Sequence, residues 1–203
     1  MFSSSKVRPR MLAVTVLVLL ALVAPTVAGA ATSTFHRFEA EATANYTVTE
    51  QCADGTSATF LVTVIGGHEE ESQDGETTLD SDFVTVLLRS FRDCAGNFVN
   101  DRGSGTAEFV FSPSLLDARV SGTVLTRDGR TVDVDVTWTG TGQIESTSNT
   151  TTFPGFTGHF KGKEREAVAT GTVVVDGETL VDGTTTNAEI ETLEDTNITT
   201  GVG

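Results

Sequence analysis

The chain is short of proline, cysteine and basic residues. Among its 203 residues there are four Pro, two Cys, one Trp, one Tyr and two Met. Thirteen Lys and Arg stand against 28 Asp and Glu, a net charge of −15. So acidic a balance excludes general nucleic-acid binding, because a phosphate backbone requires a basic footprint. No segment sustains a 3.6-residue apolar period, which excludes a helical bundle. After residue 30 no long apolar run occurs and the C-terminus is polar, so no later membrane span or lipid-anchor signal is read. No Cys stands directly after the small residues at 28–30, which argues against a lipoprotein. What the chain does hold is Thr (35 residues) and Gly (20 residues), a composition of strands and turns.

The N-terminus has the three parts of a secretory signal peptide. Lys6, Arg8 and Arg10 form a positive segment, and Met11 to Ala24 is an apolar run of 14 residues. Ala28-Gly29-Ala30 then supplies the small residues of a cleavage site. The apolar run is too short to span a bilayer, which takes about 20 residues. Residues 1–30 are therefore read as the signal peptide and 31–203 as one domain, secreted and extracellular. Removing the leader leaves 10 positive against 28 negative charges, net −18. Cys52 and Cys94 both fall in the exported part. They fit no zinc spacing, so a disulfide between them is expected. It would close a loop of about 43 residues, worth roughly 4 kcal/mol by chain entropy.

Period-two alternation runs through most of the exported chain. Phe38 to Val48 alternates Phe38, Ala40, Ala42, Ala44, Tyr46 and Val48 with polar residues. Ala58, Phe60, Val62 and Val64 form a second apolar face, and Phe83 to Arg92 is apolar on both sides. Gly66 to Ser81 is acidic and nearly free of apolar residues, and is expected to be a long surface loop. Ser146 to Thr152 is expected to be another loop. Val132, Val134, Val136 and Trp138 should face the core, with Asp133, Asp135 and Thr137 in solvent. A turn is expected near Ser114–Asp117. About eight strands joined by short turns predict an all-β domain, an antiparallel β-sandwich with a barrel as the alternative. Eleven Phe and Trp138 are the expected core fillers.

The stretch Val136-Thr137-Trp138-Thr139-Gly140-Thr141-Gly142 is followed by His159-Phe160-Lys161-Gly162 and Ala169-Thr170-Gly171-Thr172-Val173. These motifs resemble a group of uncharacterised secreted bacterial all-β proteins that share them, over about residues 132–173. The resemblance implies secretion and β structure and carries no catalytic residue. Gly140 and Gly142 themselves suggest a strand bend, or a close approach by another backbone.

The unusual local chemistry is cationic. Thr157, His159, Lys161, Lys163 and Arg165 fall at every second position, on one face of an extended strand. His159, Lys161, Lys163 and Arg165 are the candidate ligand-binding residues, suited to an anionic glycan or a phosphate-bearing cell-wall polymer. The structural alternative is a charge ladder against Asp133, Asp135, Glu39 and Glu41. Asp74, Glu76, Asp80 and Asp82 offer hard oxygen ligands for calcium, but at no recognised calcium-loop spacing, so a solvated charge run is preferred and no metal or other cofactor is expected. His68 stands beside three Glu without a second His at ligand spacing. No Ser-centred or paired-His catalytic motif is present. Two functions follow from this reading: a non-enzymatic binding or cell-surface module, and, as the alternative, a small extracellular polysaccharide hydrolase or lyase using carboxylates with His159 or Arg165.

Overall fold

A computed structural model describes residues 31–200. The segment read as a signal peptide, residues 1–30, lies outside the described residues. Ten antiparallel strands follow one another: β1 (Thr32–Gln51), β2 (Ser57–Gln73), β3 (Glu76–Ser90), β4 (Val99–Thr106), β5 (Glu108–Phe111), β6 (Asp117–Leu125), β7 (Thr131–Gly140), β8 (Glu145–Phe153), β9 (Phe156–Val175) and β10 (Glu178–Thr200). Their order in the sheet is β4-β3-β2-β1-β10-β9-β7-β6-β5, with β8 also paired to β9. The all-β, sandwich-like class is as expected, and no helix occurs among the described residues.

Two of the expected loops are strands. Gly66 to Ser81 is the end of β2, a tight turn and the start of β3, and Ser146 to Thr152 lies within β8. The strand count is therefore ten rather than eight. The cue is in the turn. Asp74 and Gly75 both have positive φ, 53° and 86°, as do Asp176 and Gly177 at 52° and 86°. Two-residue Asp-Gly loops of this type match the twist of the strands they join. Polar residues on both faces hid the strands, because no apolar alternation is needed in β8 or near the 74–75 turn, where the residues are exposed.

The sheet folds over so that β1 and β2 face β6 and β7. Trp138 donates its indole N–H to the Thr43 carbonyl across the layers at 2.9 Å. A side chain at Gly66 would collide with Val120 and Phe109 of the facing layer. β4, at one end of the order, almost meets the end of β6. Gly103 bridges to Thr126, and the Arg127 amide donates to the Arg102 carbonyl at 3.0 Å. That bridge is isolated and the ladder does not continue, so the sheet is not closed into a barrel.

Val132, Val134, Val136 and Trp138 are buried, while Asp133, Asp135 and Thr137 are exposed, the register that the alternation predicts. The core is built of valine and alanine around Trp138, and Phe109 is the one buried phenylalanine among the described residues. The expectation that phenylalanine fills the core is corrected. Phe91, Phe98, Phe153 and Phe160 are all exposed, and Phe91 lies beyond the end of β3. Small side chains suffice because the layers approach closely at Gly66. A Cβ on Gly140 would overlap the Leu115 carbonyl, so the predicted close backbone approach is found there. The turn expected near Ser114–Asp117 is found at residues 113–116, with Leu115 at φ 53° and its side chain buried. Cys52 and Cys94 are bonded, with Cα atoms 5.2 Å apart.

Candidate anion-binding face

β9 changes partners along its length. Its second half pairs with β7 from Ala167 onward, and its first half pairs with β8. The facing layer stops where β7 stops, at Gly140. Beyond that point the inward face of β9 is no longer covered. Ala167 and Ala169 are buried, and the residues that continue the same face are Arg165, Lys163, Lys161 and His159. The cationic strip is thus the core face of β9 carried past the end of the core. A period-two pattern continues, and its residue type switches from alanine to cation where cover is lost.

The four candidates do not behave alike. Arg165 is fastened to the protein itself. Its guanidinium donates to the carbonyls of Ser114 (3.1 Å), Gly142 (2.9 Å) and Thr141 (3.4 Å). It closes the end of the core and satisfies three turn carbonyls, a fixed fork used for structure. His159 Nδ1 lies 3.1 Å from the Thr150 hydroxyl on β8. Lys161 pairs with Glu194 at 3.4 Å with 62% of its side chain exposed, and His36 reaches the same carboxylate at 3.6 Å. Lys163 is exposed and has no acidic side chain within 4.0 Å among the described residues. Lys161 and Lys163 are also the only lysines after residue 6.

The ladder partners named from the sequence are elsewhere. Asp135 takes a bidentate bond from Arg119 at 3.0 and 3.1 Å, and Asp133 accepts from Thr123. Glu39 pairs with Arg37 at 3.4 Å, and Glu39 and Glu41 project from the opposite face of the sheet. The ladder has one rung, Lys161–Glu194, and Glu194 was not among the residues singled out. Its register opposite Lys161 follows from β9–β10 pairing, which alternation alone does not specify.

The face continues to β3. In register rows from β9 it carries Lys163, Thr192, Ala40, His68 and Asp82, then Lys161, Glu194, Phe38, Glu70 and Asp80. One end is basic and the other acidic. His68 Nδ1 lies 2.8 Å from Asp82 and 4.0 Å from Asp80. Asp82 also accepts the Phe109 amide at 3.2 Å, which anchors β5 to β3. Asp74 is spent on its own turn, accepting from the Thr34 amide at 2.7 Å. The four carboxylates offered for calcium are therefore not gathered, and no group of three His, Cys, Asp or Glu among the described residues is placed to hold a metal ion.

The outer face of the same strands holds a feature that the sequence did not reveal. Glu41, Glu191, Glu164 and Glu145 lie directly opposite one another across β1, β10, β9 and β8. Burial, then the charges of Glu41, Glu189, Glu164 and Glu39, push the Glu191 carboxyl up to about 7. Glu41 and Glu164 are raised as well, first by burial. Like charges directly opposite destabilise a sheet.

Two depressions of about 430 Å³ lie away from the strip. One is framed by Val48, Phe60, Leu88, Val99, Val175 and Leu180 with Arg130 at its rim, and the other by Arg102, Ser104, Leu125, Thr126 and Arg127. Neither is lined by a strip residue.

No protein-family model and no curated protein matches the chain. Among solved structures it is similar to a Nitrosomonas europaea protein named, provisionally, AttH, at 14% identity and a TM-score of 0.25. The alignment covers 82% of this chain and 52% of that one, so the chain spans about half the length of this structure.

Proposed function

We propose that the chain is a secreted, non-enzymatic β domain that binds an anionic polymer through His159, Lys161 and Lys163. The observation that carries this reading is the position of the two lysines. They sit in adjacent rows on an uncovered sheet face, and Lys163 has no acidic partner among the described residues. An open, flat face suits an extended polymer such as a polyuronate or a phosphate-bearing wall glycan, which needs point charges at regular spacing. Arg165 leaves the binding set, because three carbonyls already hold its guanidinium. The hydrolase or lyase alternative would be favoured by a walled pocket gathering His159, Arg165 and a carboxylate, and neither depression is lined by His159 or Arg165.

Export rests on the pattern of residues 1–30. The closed Cys52–Cys94 bond fits an oxidising compartment. No helix among the described residues is long and apolar enough to cross a membrane.

The test is retention of the mature protein on a uronic-acid or teichoic-acid matrix at low salt. Retention should fall as salt rises, since exposed charges are screened beyond about 8 Å at physiological ionic strength. The net charge of −18 opposes approach, so affinity should be modest. Lys161→Gln/Lys163→Gln should abolish retention with little change in thermal unfolding, because an exposed pair such as Lys161–Glu194 contributes about 1 kcal/mol or less. Wild-type protein that shows no salt-sensitive retention on any anionic matrix overturns the reading.

A further inference from the structure

The strands that extend beyond the core form a six-stranded sheet of their own, in the order β8-β9-β10-β1-β2-β3. Both of its edges are open. β8 pairs with β9 on one side and with no strand on the other, and all nine of its residues are exposed. β4 covers β3 only from Phe83 to Ser90, so residues 76–82 present an unpaired edge. An unpaired edge is a template for another strand. Natural edges are blunted with proline, lysine or bulges; β8 contains no proline and no lysine, and the β3 edge has a bulge between Thr77 and Leu79 but is regular from Leu79 to Asp82.

The two edges complement each other. Behind the β8 edge, on the inward face, stand Lys163 and Lys161, opposite the small residues Ser146 and Ser148. On the β3 edge the same face carries Asp82 and Asp80, in the very rows that begin with those lysines. The Asp80 side chain is 70% exposed. Six alternating antiparallel strands also leave β8 and β3 running in opposite directions. A second copy placed alongside with the same face inward therefore meets β8 with its own β3 in antiparallel sense. Its Asp80 would lie one strand beyond Ser148, about 10 Å from the β9 backbone, within joint reach of the Lys161 and Asp80 side chains. On the outer face Leu79 would come beside exposed Phe160, which pairs with Asn149.

We infer that copies of this chain join edge to edge, β8 of one against residues 76–82 of β3 of the next. The contact is head-to-tail, so it leaves a free edge at each end and does not close at a dimer. It is a narrow interface of backbone hydrogen bonds and few side chains, between chains that repel at long range. Association is accordingly weak and concentration-dependent.

Sedimentation velocity of the full secreted chain over a hundredfold range of concentration tests this. The expected result is a weight-average mass that keeps rising past the dimer. Asp80→Lys should hold the chain monomeric, as should Lys161→Asp. Mixing the two variants should restore association, because every contact between unlike variants again joins opposite charges, as the wild-type pair at one and with the signs exchanged at the next. Circular dichroism and thermal unfolding check that each variant is folded, and Thr150→Lys on β8 is a further single change expected to give a monomer. Wild-type protein that stays monomeric at every concentration overturns the inference. So does a mass that stops at a dimer, or one unaffected by Asp80→Lys. Asp80 lies on the edge away from the lysine strip, so Asp80→Lys should leave retention on the anionic matrix intact. A monomeric but retained protein thus separates failure of this contact from failure of the proposed binding function.

Discussion

Trp138 shows how much one side chain can specify. It is fully buried, it is the only Trp in the chain, and its N–H is satisfied by a carbonyl of the opposite layer. Trp138→Ala should destabilise by about 3–5 kcal/mol, read from denaturant midpoints. Iodide should quench the native fluorescence poorly, and ready quenching would contradict the burial. Glu191 acts in the opposite sense. Its carboxyl titrates near 7 in the fold and near 4.5 when free, because burial and four neighbouring carboxylates disfavour its charge. The folded state therefore holds a proton that the unfolded chain gives up. Stability should fall as pH rises from about 4.5 to about 7, then level off. Asp54, Asp93 and Asp101, whose values are lowered, stay ionised through that window. Glu191→Gln should remove much of the slope and be more stable than wild type at pH 8. Urea midpoints at pH 5 and pH 8 for both proteins decide it, and a wild type more stable at pH 8 would contradict it.

At the scale of elements, strand length separates the two regions of the molecule. The parts of β1, β2 and β3 that face β6 and β7 alternate apolar with polar and are buried on one side. Of their outer parts, β1 is met by β5, where Phe111 stacks on Phe38 at 6.0 Å, while β8 lies fully exposed and is free to be polar. The disulfide ties the covered end. Cys52 follows β1 and Cys94 follows β3, and both strands flank β2. Cys52→Ser/Cys94→Ser should cost about 4 kcal/mol, the loop-closure entropy that the bond removes from the unfolded chain. Comparison of guanidinium midpoints measures it, and an unchanged midpoint would show the bridge to be energetically idle.

For the whole molecule, charge is segregated by face more than by sequence. The outer face gathers glutamates in opposed rows, and the inner face of the extension runs from lysine at β9 to aspartate at β3. The same arrangement underlies both proposals, an anion site on the lysine strip and an edge that pairs with its own opposite edge. Lys161→Gln/Lys163→Gln and Asp80→Lys probe these two consequences separately, one by retention on a matrix and the other by sedimentation.

The sequence by itself determined what depends on neighbours along the chain. Alternation set the register of β7, and every-second-position spacing put His159, Lys161, Lys163 and Arg165 on one face. The two cysteines had one simple partner each. Tertiary structure decided whatever depends on which strand lies beside which. Polar strands such as β8 give no alternation to read, because burial imposes the pattern and nothing buries them. Only pairing showed that Arg165 is held by the carbonyls of Ser114, Thr141 and Gly142, that Glu194 is the partner of Lys161, and that four glutamates far apart in sequence share a row. A strand's own sequence fixes its two faces, but contacts across a sheet are fixed by register between segments more than a hundred residues apart, as β1 and β10 are.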